Sequence, residues 1–117
     1  MGRRKRGGLF SPPRHKWLSD IISYKDPESA ERAAERLLNA LRKGELRYKG
    51  KTIKIGRTRA LQIARALQRA ANETKVIYKN KKNLSPEERR EFKEIHKIYE
   101  EARQEAWKIY REEYSSD

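Results

Sequence analysis

Residues 57–71, RTRALQIARALQRAA, combine an apolar helical face with a cationic one. Their small and apolar side chains recur at helical spacing and share one side of a helical wheel: Leu61, Ala64, Leu67 and Ala71. Arg65 and Arg69 lie four residues apart, so their guanidinium groups share another face, and Thr58 is a candidate N-cap. The segment predicts a helix that contacts a core and a polyanion together, although a solvated basic face is the commoner use of such a helix.

Residues that could perform catalysis or hold a metal are scarce. The chain has no cysteine, which excludes disulfides and thiolate metal sites, and its two histidines, His15 and His96, lack metal-ligand spacing. Gly50 and Gly56 belong to no phosphate-cradling glycine pattern. The carboxylates mostly occupy pairing positions on predicted helices. We therefore expect no enzymatic activity, no metal and no cofactor.

The positive charge is concentrated in the first three quarters of the chain. The formal charge is +13, with 23 Lys/Arg and 7 Asp/Glu in residues 1–85 but 7 and 10 in residues 86–117. Such a field favours nucleic acid. An anionic membrane surface is the second choice, because no basic helix has a bulky aromatic face. No apolar run reaches the roughly 18 residues of a membrane span, and no secretory signal is recognisable, so we expect an intracellular protein.

Cations suited to phosphate contact occur in a basic N-terminal arm, a basic connection and two or three helices. Residues 1–8, MGRRKRGG, hold four consecutive cations and nothing to bury. The candidate nucleic-acid contacts are Arg3, Arg4, Lys5, Arg6, Arg14, Lys16, Lys49, Lys51, Lys54, Arg57, Arg59, Arg65, Arg69 and Lys79.

The predicted fold is all-α: a small helical bundle with a basic arm over residues 1–24 and a helical core over 25–117. Start signals at Asp26-Pro27 and Ser85-Pro86 predict two of its helices. The predicted helices span 13–24, 27–43, 57 to about 72, and 86 to about 114. Alternation over 46–55 around Gly50-Lys51 fits a hairpin or an extended basic loop. Residues 75–83 are predicted to form a loop with Val76 and Ile77 buried.

The long last helix carries an apolar seam at heptad-like spacing, which needs a partner surface along its length. The chain's own helices or another subunit could provide that surface. The helix is long for so small a chain, which favours at least partial contact between subunits. The residues predicted for a subunit interface are Trp17, Phe92, Ile95, Tyr99, Ala102 and Ile109.

Three short segments resemble a known family. RHKW at 14–17, Ser23 with Asp26-Pro27 and Ala30, and LQIARALQR at 61–69 follow the order found in major capsid proteins of archaeal filamentous viruses, the rudivirus, lipothrixvirus and tristromavirus group. The resemblance covers roughly residues 11–71. After residue 72 the sequence departs from the family, because a long charged helix replaces a more apolar C-terminal half.

The resemblance implies a helical bundle with an extended N-terminal arm that wraps double-stranded DNA and holds it in the A form. It also implies dimers, either of one chain or of two paralogous chains, that polymerise into a helical virion assembled in the host cytoplasm. Lys16, Arg65 and Arg69 would be phosphate contacts by position. High Lys, Arg and Glu content without cysteine is typical of a hyperthermophile.

Two other functions fit parts of the sequence. An archaeal nucleoid or ribosomal accessory protein would have a similar composition and could bind RNA. A helix-turn-helix regulator could read bases with residues 57–71, although about a dozen basic residues separate that helix from the preceding one.

Overall fold

The computed structural model describes residues 16–115. The elements in chain order are α1 (Lys16–Ile21), α2 (Pro27–Lys43), β1 (Glu45–Tyr48), β2 (Lys51–Lys54), α3 (Arg57–Asn80), α4 (Pro86–Ile109) and a π-helical turn, Tyr110–Tyr114. The predicted all-α bundle with a long C-terminal helix and a small hairpin is confirmed.

The starts of α2 and α4 are set by local capping. The Asp26 carboxylate accepts a hydrogen bond from the Ser29 N–H at 2.7 Å, and the chain leaves α2 through Gly44, whose φ is 78°. At α4, Ser85 Oγ accepts from the Glu88 N–H at 3.1 Å, and Glu88 accepts from the Ser85 N–H at 2.9 Å. This reciprocal pair is the predicted capping box.

The basic connection between α2 and α3 is a two-stranded antiparallel hairpin. Its turn residues are Lys49 and Gly50, one position earlier than predicted, and both have positive φ, 51° and 77°. Two such residues form the type I′ turn, whose twist matches that of paired strands. Leu46 pairs with Ile53 on the face toward the helices, and Leu46 is buried.

Helix α3 begins at the predicted residue 57, but its N-cap and its C-terminal end differ from the prediction. It continues to Asn80 instead of ending near residue 72, and Val76, predicted to be buried, is 56% exposed. The expected loop over 75–83 is therefore wrong for 75–80. The N-cap is Gly56, which provides no side-chain cap, so Thr58 does not cap this helix.

The core is organised around α4, which packs against α3 along its length and against α2 on another side. Its seam is covered by the chain's own helices: Ile95, Tyr99, Ala102 and Ile109 are at most 6% exposed. Trp17 is also buried in this core, and the half-buried Phe92 packs against the core cluster. This corrects the subunit-interface prediction for these five buried residues, because their side chains are already covered within one chain, whereas for Phe92 it stays a prediction.

Both ends of the fold dock onto the core. Helix α1 ends at Ile21, earlier than the predicted residue 24, and its Trp17, Leu18 and Ile21 are buried. At the other end, the predicted helix to about residue 114 is present, but its last turn has π geometry. There the Tyr114 hydroxyl donates to the Leu41 carbonyl at 2.6 Å.

Candidate nucleic-acid interface

Residues 46–72 contain eight Lys and Arg residues and no Asp or Glu. In the structure, this stretch forms nearly all of the hairpin and most of α3. All eight cationic residues are exposed. Because no carboxylate within the stretch offsets them, these cations are the strongest candidate for binding an anionic polymer.

The hairpin presents its cations on an anchored scaffold. Arg47 and Lys54 belong to the cross-strand pairs on the side opposite Leu46 and Ile53. The Arg36 guanidinium donates to the Arg47 carbonyl at 2.6 Å, which ties β1 to α2. An isolated two-stranded hairpin is only marginally stable. The contact with α2 supports the hairpin and so helps to hold its cations in place.

The turn residue Lys49 is shared with a structural contact. Its Nζ lies 3.8 Å from the Asp20 carboxylate and 5.4 Å from the Tyr48 ring centroid. The Tyr48 hydroxyl also donates to Asp20, and these contacts hold the pKa of the Asp20 carboxyl below its usual value, with the hydroxyl contributing most. Asp20 thus partly neutralises Lys49 while joining α1 to the hairpin.

Among the cations of β2 and α3, one makes a structural contact and four others make none. Arg59 donates to the Lys54 carbonyl at 2.8 Å and so ties the helix to β2. Within residues 16–115, the side chains of Lys51, Lys54, Arg57 and Arg65 make no hydrogen bond or ion pair. These four cations are therefore available to a ligand.

A groove lies on the outer side of α3 where α4 approaches it. Its volume is about 430 Å³, and its lining residues are Arg65, Gln68, Arg69, Asn72, Glu73 and Trp107. Trp107, from α4, donates its indole N–H to Gln68 Oε1 at 3.0 Å. Trp107 is not among the site residues predicted from the sequence, because nothing local in the sequence places it opposite Arg65 and Arg69.

Glu73 is the acidic residue of this groove. Its carboxylate accepts a hydrogen bond from the Tyr24 hydroxyl at 2.9 Å. Burial of the hydroxyl, and then this contact with Glu73, raise the pKa of Tyr24 well above its ordinary value, and the charge of Arg69 opposes the shift. Tyr24 therefore remains a protonated donor that fixes Glu73 beside Arg69.

The remaining predicted contacts are spread along the molecule. Lys16 is exposed at the start of α1, and Lys79 is exposed in the last turn of α3. Arg57 and Lys79 are about 33 Å apart along the α3 axis at 1.5 Å per residue. The other predicted contacts lie outside the described residues: Arg3, Arg4, Lys5, Arg6 and Arg14.

Other site types find no support between residues 16 and 115. That part of the chain brings together no group of three His, Asp or Glu side chains suited to a metal ion. None of its helices is long and apolar enough to cross a bilayer. The hairpin over 45–54 separates α2 from α3, in contrast to the tight turn of a helix-turn-helix pair.

The fold and surface define a small all-α protein with one hairpin and an exposed cationic face. No protein-family model, curated protein or solved structure matches the chain.

Proposed function

We propose that this chain is a structural subunit that coats and packages double-stranded DNA through phosphate contacts that do not depend on sequence. The observation that carries the proposal is the set of exposed cations on the hairpin and α3, within a stretch that contains no acid. With Lys79, which lies beyond that stretch, the cations of α3 extend over about 33 Å at 1.5 Å per residue, comparable with a helical turn of duplex DNA, about 34 Å.

The distribution of the cations favours backbone contact over base reading. Lys51 and Lys54 lie on a strand, Arg57 and Arg65 lie on a helix, and further cations lie in the sequence before residue 16. A base-reading protein instead concentrates contacts on one element that enters a groove. Lys and Arg side chains spread over several elements suit the neutralisation of a phosphate backbone.

The finer proposal is a capsid subunit in the helical virion of an archaeal filamentous virus. It rests on the resemblance at 14–17, 23–30 and 61–69, which implies A-form DNA and dimers of one chain or of two paralogous chains. Since the α4 seam is covered within the chain, a dimer would have to use another surface. The expected location is the virion, with assembly in the host cytoplasm.

Salt dependence tests the proposal directly. Fluorescence anisotropy with duplexes of unrelated sequence should give similar affinities, and log K should fall with log salt by about 0.9 for each neutralised phosphate. Negative-stain images of protein mixed with long duplex DNA should show ordered filaments. A flat salt response or a footprint confined to one sequence would contradict the proposal, and complexes with ribosomal RNA but none with DNA would favour the accessory-protein alternative.

A further inference from the structure

We propose that the groove between α3 and α4 binds an unpaired nucleotide, with its base stacked on Trp107 and its phosphate held by Arg65 and Arg69. The inference rests on the proposed function, because both use the same two arginines. It adds an unpaired strand, exposed at a duplex end or in a melted region, to the ligands of this surface.

The lining of the groove matches the two parts of a nucleotide. Arg65 and Arg69 provide guanidinium groups, which are planar phosphate binders with several N–H donors. Trp107 provides the aromatic surface in an otherwise polar lining. Base–aromatic stacking beside a cationic groove is the usual way in which proteins hold single strands, because every base has a π face.

Trp107 is held in a fixed orientation before any ligand arrives. Its indole N–H donates to Gln68 across the helix pair at 3.0 Å, and its ring meets Tyr110 edge to face at a centroid distance of 5.8 Å. The Gln68 contact satisfies the indole N–H, and the partly exposed ring contributes to the lining of the groove. A fixed ring loses little conformational freedom on stacking, which favours binding.

The charge of the groove limits what it can hold. Arg65 and Arg69 contribute two positive charges, and Glu73, fixed by Tyr24 at 2.9 Å, contributes one negative charge. A net charge of one suits a single phosphodiester better than a run of them. Asn72, which is exposed and has no side-chain partner within residues 16–115, can hydrogen-bond a base edge.

The dimensions also suit a ligand of this class. At about 430 Å³ the groove lies within the roughly 300–1,000 Å³ range of small-molecule sites. It is open to solvent, so one nucleotide can enter while the rest of its strand remains outside.

The test compares two ligands that differ only in their bases. A short oligothymidylate and an abasic oligonucleotide of the same length carry the same phosphates. One stacked base should make the wild-type protein bind the oligothymidylate about 5- to 150-fold more tightly. Equal affinities would overturn the inference. If equal affinities accompanied a normal salt response with duplex DNA, the proposed function would stand without it.

Variants locate the stacking residue. Trp107→Leu should abolish the preference for the base-bearing ligand, and Trp107→Phe should retain most of it. Tyr78→Phe, at a residue outside the groove lining whose hydroxyl makes no hydrogen bond within residues 16–115, should leave the preference unchanged. A preference that survives Trp107→Leu would overturn the assignment. If Trp107→Leu does not fold, the tryptophan emission of the wild-type protein provides the test. Trp17 is only 8% exposed, so quenching by oligothymidylate but not by the abasic oligonucleotide reports on Trp107. If oligothymidylate causes no such quenching, the inference is overturned.

Discussion

The Tyr99 hydroxyl makes two hydrogen bonds with the backbone of Ser23: it donates to the carbonyl at 2.6 Å and accepts from the N–H at 3.0 Å. Ser23 lies in the link between α1 and α2, where neither group has a helical partner. The next residue, Tyr24, meets the Tyr99 ring edge to face at 6.0 Å and reaches Glu73 in α3. One buried side chain of α4 therefore fixes the link that positions the acidic side of the groove.

Replacing Tyr99 with Phe should lower the free energy of unfolding by about 1–3 kcal/mol, because it leaves two backbone groups of Ser23 without their partner. Urea denaturation followed by circular dichroism measures this change as a lower midpoint at an unchanged m-value. Tyr110→Phe is the matched control, since the Tyr110 hydroxyl makes no hydrogen bond within residues 16–115. Similar losses in the two variants would contradict the role of the Ser23 contacts.

Alkaline pH should destabilise the fold through the same residue. Burial raises the pKa of Tyr99 from 10.0 to about 12, so the folded protein holds this proton more tightly than the unfolded chain does. Tyr99 therefore contributes stability that is fully present below its pKa in the unfolded chain. This contribution is lost as the pH rises from there through its pKa in the folded protein. Thermal melts across that window should show a falling Tm, and Tyr99→Phe should show a shallower fall. Parallel slopes for wild type and variant would contradict this assignment.

The hairpin turn depends on backbone conformation at Gly50. Its φ is +77°, and a Cβ built there would meet nothing within 4 Å, so the cost of Gly50→Ala is conformational and not steric crowding by neighbours. We expect a loss of about 1–2 kcal/mol in thermal or urea unfolding, the usual penalty for a left-handed L-residue.

Gly56 offers the contrasting substitution. It is the N-cap of α3, its φ is −94°, and it has open space at the Cβ position. Gly56→Ser supplies the missing cap oxygen and should stabilise the protein by a few tenths of a kcal/mol. If Gly50→Ala were as well tolerated as Gly56→Ser, the positive φ at the turn would not be required.

Local signals explain why α2 could be predicted to the residue. Asp26, Pro27 and Gly44 act within the helix they delimit, so no knowledge of the rest of the fold is needed. The alternation over 46–55 fits a hairpin or an extended basic loop, so the hairpin is one of two predicted alternatives. Its turn lies one residue earlier than predicted, because lysine rarely adopts the φ of 51° seen at Lys49.

Tertiary contacts explain the errors. Helix α3 continues past residue 72 through β-branched residues because Thr74 is buried in the core, where its hydroxyl is satisfied within the helix by the Ala70 carbonyl at 2.8 Å. Its last carbonyls are then capped by Arg89 of α4, which donates to Tyr78 and, at 2.8 Å, to Lys81. The apolar seam of α4 correctly predicted that this helix packs against a partner surface. Periodicity alone does not distinguish the helices of the same chain from those of another subunit. The cations could be predicted from their types, whereas the groove depends on Trp107 meeting Gln68, 39 residues earlier.

Replacing Arg65 and Arg69 should weaken duplex binding more than removing two positive charges elsewhere on the protein would. Arg65→Ala with Arg69→Ala should weaken binding to all duplex sequences about equally and reduce the salt slope by about 2, one for each lost phosphate contact. Alanine is the best helix former, so α3 should persist.

Lys93→Ala with Lys97→Ala is the matched control for that pair. It removes the same charge at the same i,i+4 spacing, but from an exposed part of α4 where Glu94 and Glu101 neighbour the lysines. Anisotropy titrations at several salt concentrations should show a nearly unchanged slope for this control. Equal reductions in slope for both pairs would mean that the field of the whole protein, and not the α3 face, determines binding, and the placement of the duplex on α3 would then be wrong.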